Sequence, residues 1–475
     1  MMRVAQFPIF RIISMYKFHL LLFVLSFLIL TKFNIDPDLG WHLAYGQKFL
    51  QEGRILRADE FSWTMAGYVW HNSYFMYQII LSYVFGYFGH IVAGLLFGAI
   101  AGLAILILLP RKLDVFKVIA ATLGAVVALG SLGVRPHTVS FLMFSILVIL
   151  LQKRLFQRGY SSLFWFFFFA IWANFHRGFV VGIVLMAALL VIDRLKARGH
   201  KDKKYFSEIL PFFWAVLGTF INPFGISIWK SAVFLDLTSR ENLMWIAEWQ
   251  PIGEVFPLNF IFVLTGIIFI YIFRKKFTKT DKGEWFLAAA SLFMLSFVSA
   301  AFLFYWAAIF IFLSTRNLEF KLNLGEFLPR LSLAISFAAF FLAFFLNFVV
   351  RILETTSFRR QLEIDQYPVA ALEFLQAQGQ VHGLYNSYEW GGYIDWQAPQ
   401  VKIFIDGRMP SWRDSSRGSV FGDYLAIFRG NCGPLEKYEI KTVLVKKDFN
   451  VSCFGNFKKI YEDDNARIFT LPAVQ

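Results

Sequence analysis

Asp36-Pro37-Asp38 sets two carboxylates two residues apart, just after the first apolar run of the chain. An ionised carboxylate there can take a proton from an attacking hydroxyl, and a pair can hold a divalent cation. The stretch continues Leu39-Gly40-Trp41-His42, and Leu43 to Glu52 reads as a helix that Gly53 ends. Asp38 then lies near the N-terminus of that helix, so capping, or a plainly solvated charge, also explains it. Asp59 and Glu60 add acidity further along the same loop.

A second set of polar residues sits at the ends of apolar runs. These are Arg135-Pro136-His137, then Asn174, His176 and Arg177, then Asn222, with Glu248-Trp249 in a later loop. Ionisable groups at membrane depth are costly and tend to line cavities, although each alone can snorkel to the interface. Arg135 and Arg177 carry the fork of donors that grips a phosphate. His137, His176, Asn222 and Glu248 complete the substrate-binding candidates. The spacing of His42, His71, His137 and His176 fits no compact zinc motif. Near the C-terminus, Tyr385–Tyr393 reads YNSYEWGGY and Phe404–Arg408 reads FIDGR. Trp390, Asp406 and Arg408 are candidates for an acceptor-binding rim, and a turn-rich α/β core accounts for the same residues.

The elements that must position these groups are mostly membrane helices. Hydrophobic residues make up 57% of the chain, charged ones 16%, and mean hydropathy is +0.56. Runs such as Ile91–Leu109 and Leu331–Val350 are long enough to cross an apolar core about 30 Å thick. The sequence predicts eleven spans, at roughly 15–33, 90–109, 118–133, 138–152, 162–176, 177–194, 208–222, 258–273, 285–300, 301–315 and 331–350. The first is read as a retained span and not a signal peptide, because no small-residue cleavage site follows it.

Net charge is +14, and its distribution argues against a nucleic-acid partner. With the N-terminus cytoplasmic, 23 Lys and Arg fall on the inner side, including Arg194–Lys204 and Arg274–Lys282, and 8 on the outer side before the C-terminal domain. That is the positive-inside pattern, and it sets orientation. Tyr74–Phe88 is apolar enough to span, but counting it would put basic loops on the wrong side. Its tyrosines suit a helix lying on the outer surface instead. The reading is thus a membrane domain at 1–350, a first outer loop at 34–89, and an extracytoplasmic α/β domain at 351–475. That last domain should hold a helix at Pro368–Gln378 and strands at Lys402–Ile405, Thr442–Val445 and Arg467–Leu471. Cys432 and Cys453 both lie in it, either as a disulfide or as two thiols.

Asp38 through Gly53 resembles the first outer loop of the GT-C class of membrane glycosyltransferases, which includes protein O-mannosyltransferases and the lipid A aminoarabinose transferase. In that class the loop begins with a catalytic acid, a helix follows that ends near a Gly, and juxtamembrane helices lead to the second span. Here Asp38 stands at the catalytic position, and His71–Gly89 resembles the last juxtamembrane helix. The pattern DPDLGWHLAYGQKFLQEGRILRADEFSWT, with RPH, NFHRG, NP, EWQP, WGGY and DGR further on, is similar over most of the chain to a set of bacterial membrane proteins. The resemblance implies transfer of a sugar from a polyprenyl phosphate to an extracytoplasmic glycan, lipid or protein acceptor, with inversion. Asp38 would be the base, assisted by Asp36. It leaves a divalent metal at Asp36 and Asp38 open. Two other classes remain: a transporter or flippase of lipid-linked glycans, which would place polar residues on both membrane sides, and a non-catalytic scaffold.

Overall fold

The computed structural model describes residues 8–153, 162–196, 205–231, 240–252, 258–274, 283–318, 342, 345–346, 348–353, 357–379, 381–414, 418–450 and 452–472. The chain divides into two compact units. One comprises Met1–Lys32, Gly94–Thr219 and Ala247–Leu353; the other comprises Phe33–Ala93, Phe220–Ile246 and Glu354–Gln475.

The first unit is helical: α1 (Pro8–Leu30), the C-terminal part of α3 (Phe75–Leu108), α4 (Val115–Ala128), α5 (Pro136–Gln152), α6 (Ser162–Phe175), α7 (Phe179–Lys196), α8 (Tyr205–Gly218), α9 (Leu258–Arg274), α10 (Gly283–Val298) and α11 (Leu303–Asn317). Small residues let these helices approach closely. Gly218 of α8 faces the Phe166 carbonyl of α6, and Gly124 of α4 faces Ile311 of α11, each too near for a side chain. Trp165, Trp172 and Trp306 fill the interior.

Among the described residues, Phe75–Leu108 and Ala300–Asn317 are long and apolar enough to cross a membrane, and seven shorter apolar helices accompany them. The sequence suggests eleven spans; two reach full length. A helix of 14 residues such as α4 rises only about 21 Å, short of a hydrocarbon core of about 30 Å. The span expected at 331–350 and the basic segments Arg198–Lys204 and Lys275–Lys282 lie largely outside the described residues. Helix α3 breaks at Gly89, where φ of 81° and ψ of 176° leave helical space. The break separates Phe75–Phe88 from the apolar run after it, at the place the sequence marks.

The second unit begins with α2 (Leu39–Glu52). Gly53 ends it in the left-handed conformation, φ 68°, and its N–H caps the Phe49 carbonyl at 2.8 Å. The C-terminal part carries helices Val369–Ala377, Gly391–Gln397 and Val420–Phe428 and a four-stranded sheet: β1 (Leu384–Asn386), β2 (Thr442–Lys446), β3 (Lys458–Glu462) and β4 (Ala466–Thr470). The strand order is β1-β2-β4-β3. β1 is parallel to β2 (Tyr385 opposite Val443), and the other two pairs are antiparallel (Leu444 opposite Ile468 in β2–β4). The helix and two of the three strands read from the sequence are present. Lys402–Ile405 is the exception. Ile403 exchanges backbone hydrogen bonds with Phe61 and Trp63 of the first loop, so its partner is 340 residues away and not in the sheet. Cys432 and Cys453 form a disulfide.

Candidate active site

Asp38 sits in the second unit on a loop held from several directions. The Asp38 N–H donates to Asp36 Oδ1 at 3.0 Å, which turns the chain sharply through Pro37. The Ile35 N–H donates to Asp365 Oδ2 at 2.7 Å. Trp41 comes one helical turn after Asp38, and its indole N–H donates to Asp38 Oδ1 at 2.9 Å. The Asp38 carboxylate makes no capping bond to α2, so the N-cap explanation fails at the side chain.

Glycines bring the C-terminal motifs against this loop. A Cβ on Gly407 would lie 2.0 Å from Asp38 Oδ1. One on Gly392 would meet the Pro37 carbonyl at 2.8 Å, and one on Gly40 the Gly392 carbonyl at 2.1 Å. The glycines of WGGY and DGR are therefore needed for close approach as well as for turning. Burial first, then the charges of Asp38 and Asp406, push the Tyr388 hydroxyl well up, which keeps it a neutral phenol.

Behind Gly407 lies an ion cluster. Arg408 donates from Nε to Asp406 Oδ2 at 2.7 Å, from Nη1 to Asp59 Oδ1 at 2.8 Å and to the Tyr45 hydroxyl at 2.6 Å, and from Nη2 to Asp395 Oδ2 at 3.3 Å. The guanidinium also lies 5.1–5.8 Å from the ring centres of Tyr45, Phe61, Trp70 and Trp412. Arg408 and its three carboxylate partners have side-chain exposures of 0%. Burial works against the Arg408 charge, but Asp406, Tyr45 and Asp59 outweigh it and hold the guanidinium charged. Burial, with Asp406 next to it, pushes the Asp395 carboxyl well above the usual range, and its Oδ1 has no hydrogen-bond partner. Trp390 is 2% exposed, and its indole N–H donates to the Gln366 carbonyl at 3.1 Å. Trp390, Asp406 and Arg408, expected on an acceptor-facing rim, are thus interior residues. Of the three, Arg408 joins the first loop to the C-terminal domain through Tyr45 and Asp59, and Trp390 and Asp406 bond within that domain.

The first unit gathers the other candidates. Arg135, at the start of α5, donates from Nη1 to Glu248 Oε1, and His137 Nε2 lies 3.7 Å from Glu248 Oε2. The His137 and His176 rings are 4.6 Å apart. Trp172 Nε1 donates to Ser140 Oγ at 2.8 Å, Ser140 Oγ lies 2.7 Å from His176 Nδ1, and the Gly178 N–H reaches the same Nδ1 at 3.1 Å. That chain makes Nδ1 an acceptor and assigns the neutral-ring proton to Nε2. The Arg177 guanidinium lies 5.6 Å from the Trp249 ring centre. Burial alone would raise the Glu248 pKa, but His137, Arg135 and Arg177 outweigh it and hold the carboxyl below its ordinary value. The three motifs RPH, NFHRG and EWQP therefore meet in one charged cluster. Asn222 belongs to the second unit. Its Oδ1 accepts the Phe224 N–H at 2.8 Å and its Nδ2 donates to the Gly225 carbonyl, closing a turn in its own loop in the second unit. Asn174 donates to the Ala170 carbonyl within α6.

Sequence reasoning missed Trp41, Tyr388 and Gly407 around Asp38, and Ser140 and Trp172 behind His176. Only Trp41 and Gly407 had a local signal, through helical spacing and an Asp-Gly-Arg motif. Among the described residues no three His, Cys, Asp or Glu side chains converge on a metal position. Asp36 Oδ1 and Asp38 Oδ1 each accept a protein N–H, and no step below runs through a metal.

The chain was compared with known proteins. Across 91% of its length it superposes on the Archaeoglobus fulgidus oligosaccharyltransferase, solved with a tethered acceptor peptide containing the NVT sequon, covering 70% of that chain at a TM-score of 0.50 and 13% identity. The two chains share a fold. A second likeness, to the mycobacterial arabinofuranosyltransferase AftD, has a TM-score of 0.44 and 12% identity, covering 97% of this chain and 40% of that one. No protein family and no curated protein matches by sequence.

Proposed function

We propose that this chain is a membrane glycosyltransferase that moves a sugar from a polyprenyl phosphate to an extracytoplasmic acceptor. The acceptor hydroxyl oxygen attacks the anomeric carbon, and the carbon–phosphate oxygen bond breaks, so the carbon inverts. Asp38 accepts the hydroxyl proton. The phosphate leaves with the bonding electron pair, and Arg135 and Arg177 stabilise its growing charge. Asp36 assists by fixing the Asp38 backbone. Eleven spans, a cytoplasmic N-terminus and an outer C-terminal domain in the cell membrane belong to the same reading, and a disulfide in that domain suits an oxidising compartment.

The observation that carries it is the setting of Asp38. The carboxylate is half-buried, accepts an indole hydrogen bond and is pressed against a glycine, in a chain with the GT-C fold. The test is Asp38→Asn in membranes supplied with polyprenyl-phosphate sugars. Turnover should fall roughly 10²–10⁴-fold with the protein still folded. Transfer at the wild-type rate would reject Asp38 as the base.

A further inference from the structure

The second unit contains a cavity of about 520 Å³ that the scheme above leaves unused. Its size falls in the roughly 300–1,000 Å³ range of small-ligand sites. One wall is aromatic. Phe85, Phe358 and Trp396 pack edge to face with ring centres 5.3–5.6 Å apart, and Tyr393 joins them. The other wall is polar and neutral. Gln47, Gln376 and Gln397 bring primary amides, each both donor and acceptor. Arg359 and Glu373 also line the cavity and are locked together by two bonds, Nη1 to Oε1 at 2.7 Å and Nη2 to Oε2 at 3.0 Å.

We propose that this cavity binds an uncharged glycosyl residue. An acyl chain would strip water from three amides and an ion pair and return no hydrogen bonds. Arg359 and Glu373 together carry no net charge, so the wall offers an anion no net attraction. A sugar ring satisfies both walls, laying its C–H face on the aromatic rings and its hydroxyls against the amides. The inference rests on the glycosyltransferase reading only in identifying that residue as part of the acceptor; the binding itself does not need Asp38.

Gly86 gives a clean way to test it. It lines the cavity, its backbone φ is ordinary for a helix, and a Cβ added there would meet nothing within 4 Å. A side chain can therefore start from this lining position with open space around its Cβ. Full-length protein in lipid nanodiscs is titrated with neutral trisaccharides of glucose, mannose and galactose, read by saturation-transfer NMR. At least one should bind the wild type. Gly86→Ala should bind within about twofold of wild type, and Gly86→Leu should weaken binding by about tenfold or more. Glu373→Gln with Arg359→Gln keeps a neutral polar wall and should retain binding, whereas Gln376→Leu with Gln397→Leu should lose it. No binding by any of the three sugars overturns the inference, as does binding that Gly86→Leu leaves unchanged, or saturation transfer to lipid chains in their place. Asp38→Asn should bind the trisaccharide at wild-type affinity. A failed transfer assay with intact sugar binding rejects only the catalytic reading, and lost sugar binding with intact transfer rejects only the cavity.

Discussion

Arg408 and Arg135 are both arginines paired with carboxylates, and they do opposite work. Arg408 has 0% side-chain exposure, is surrounded by three aspartates and bonds to Asp406, Asp59, Asp395 and Tyr45. Arg135 is 26% exposed and shares one 29% exposed glutamate with His137. A fully buried charge cannot exchange its partners for water or ligand without a large desolvation cost, so the Arg408 cluster holds the first loop to the C-terminal domain. A part-exposed pair in high effective dielectric is worth little as a clamp. It can release Glu248 and take another anion at small cost, which suits a phosphate grip. Burial, and not residue type, separates the structural arginine from the one available to substrate.

The largest expected effect tests the structural half. Arg408→Leu leaves the buried Asp59 and Asp406 carboxylates without their cation and should cost about 3–5 kcal/mol, read as a lower unfolding temperature and loss of protein from the membrane. Arg408→Lys should not rescue it, because an ammonium lacks the planar fork. Arg135→Leu should leave stability near wild type; equal losses for both would erase the distinction.

Next, Gly407→Ala keeps the ion cluster but drives a methyl into Asp38. Turnover should fall about 10²-fold with unfolding unchanged, since small displacements of a reacting group are costly. An active Gly407→Ala enzyme would show that Asp38 need not stay where it is.

Asp395 sharpens the buried half from within. Its pKa is raised on folding, so the stability it contributes is full below the ordinary Asp range and is lost as pH rises through its folded value. Asp395→Asn mimics the protonated carboxyl. It should match wild type within about 1 kcal/mol at acidic pH, below the ordinary Asp range, and gain on it as pH rises from there. Unfolding scans across pH check the trend, and a variant that instead loses ground at alkaline pH would mean the carboxylate is ionised in place.

The smallest effect is expected at Glu248. Its pKa is lowered on folding, so its pairing stabilises the chain above the ordinary Glu range and is lost only as pH falls through the depressed value. Glu248→Gln should change stability by under about 1 kcal/mol and remove that acid-side loss.

Much of the local structure was legible in the sequence. Gly53 ends α2, Gly89 breaks α3, and Val369–Ala377, Thr442–Lys446 and Ala466–Thr470 take the forms their patterns suggest. These depend on backbone sterics and on apolar periodicity over a few residues, and both are written locally. Asp38, Arg135, His137, His176, Arg177 and Glu248 could likewise be picked out by residue type.

Their partners could not. Trp390, Asp406 and Arg408 fit either an acceptor rim or a turn-rich core, and for Arg408 only the approach of Asp59 and Tyr45, some 350 positions away, decides between them. Lys402–Ile405 reads as a sheet strand but pairs with Phe61 and Trp63 instead. Gly392 and Gly407 read as turn formers, and only the packed Asp38 loop shows why a side chain would not fit. The sequence by itself determined which residues can do chemistry and how short segments fold. Tertiary structure decided which of those residues are spent on holding the chain together, because desolvation depends on neighbours that no local pattern specifies.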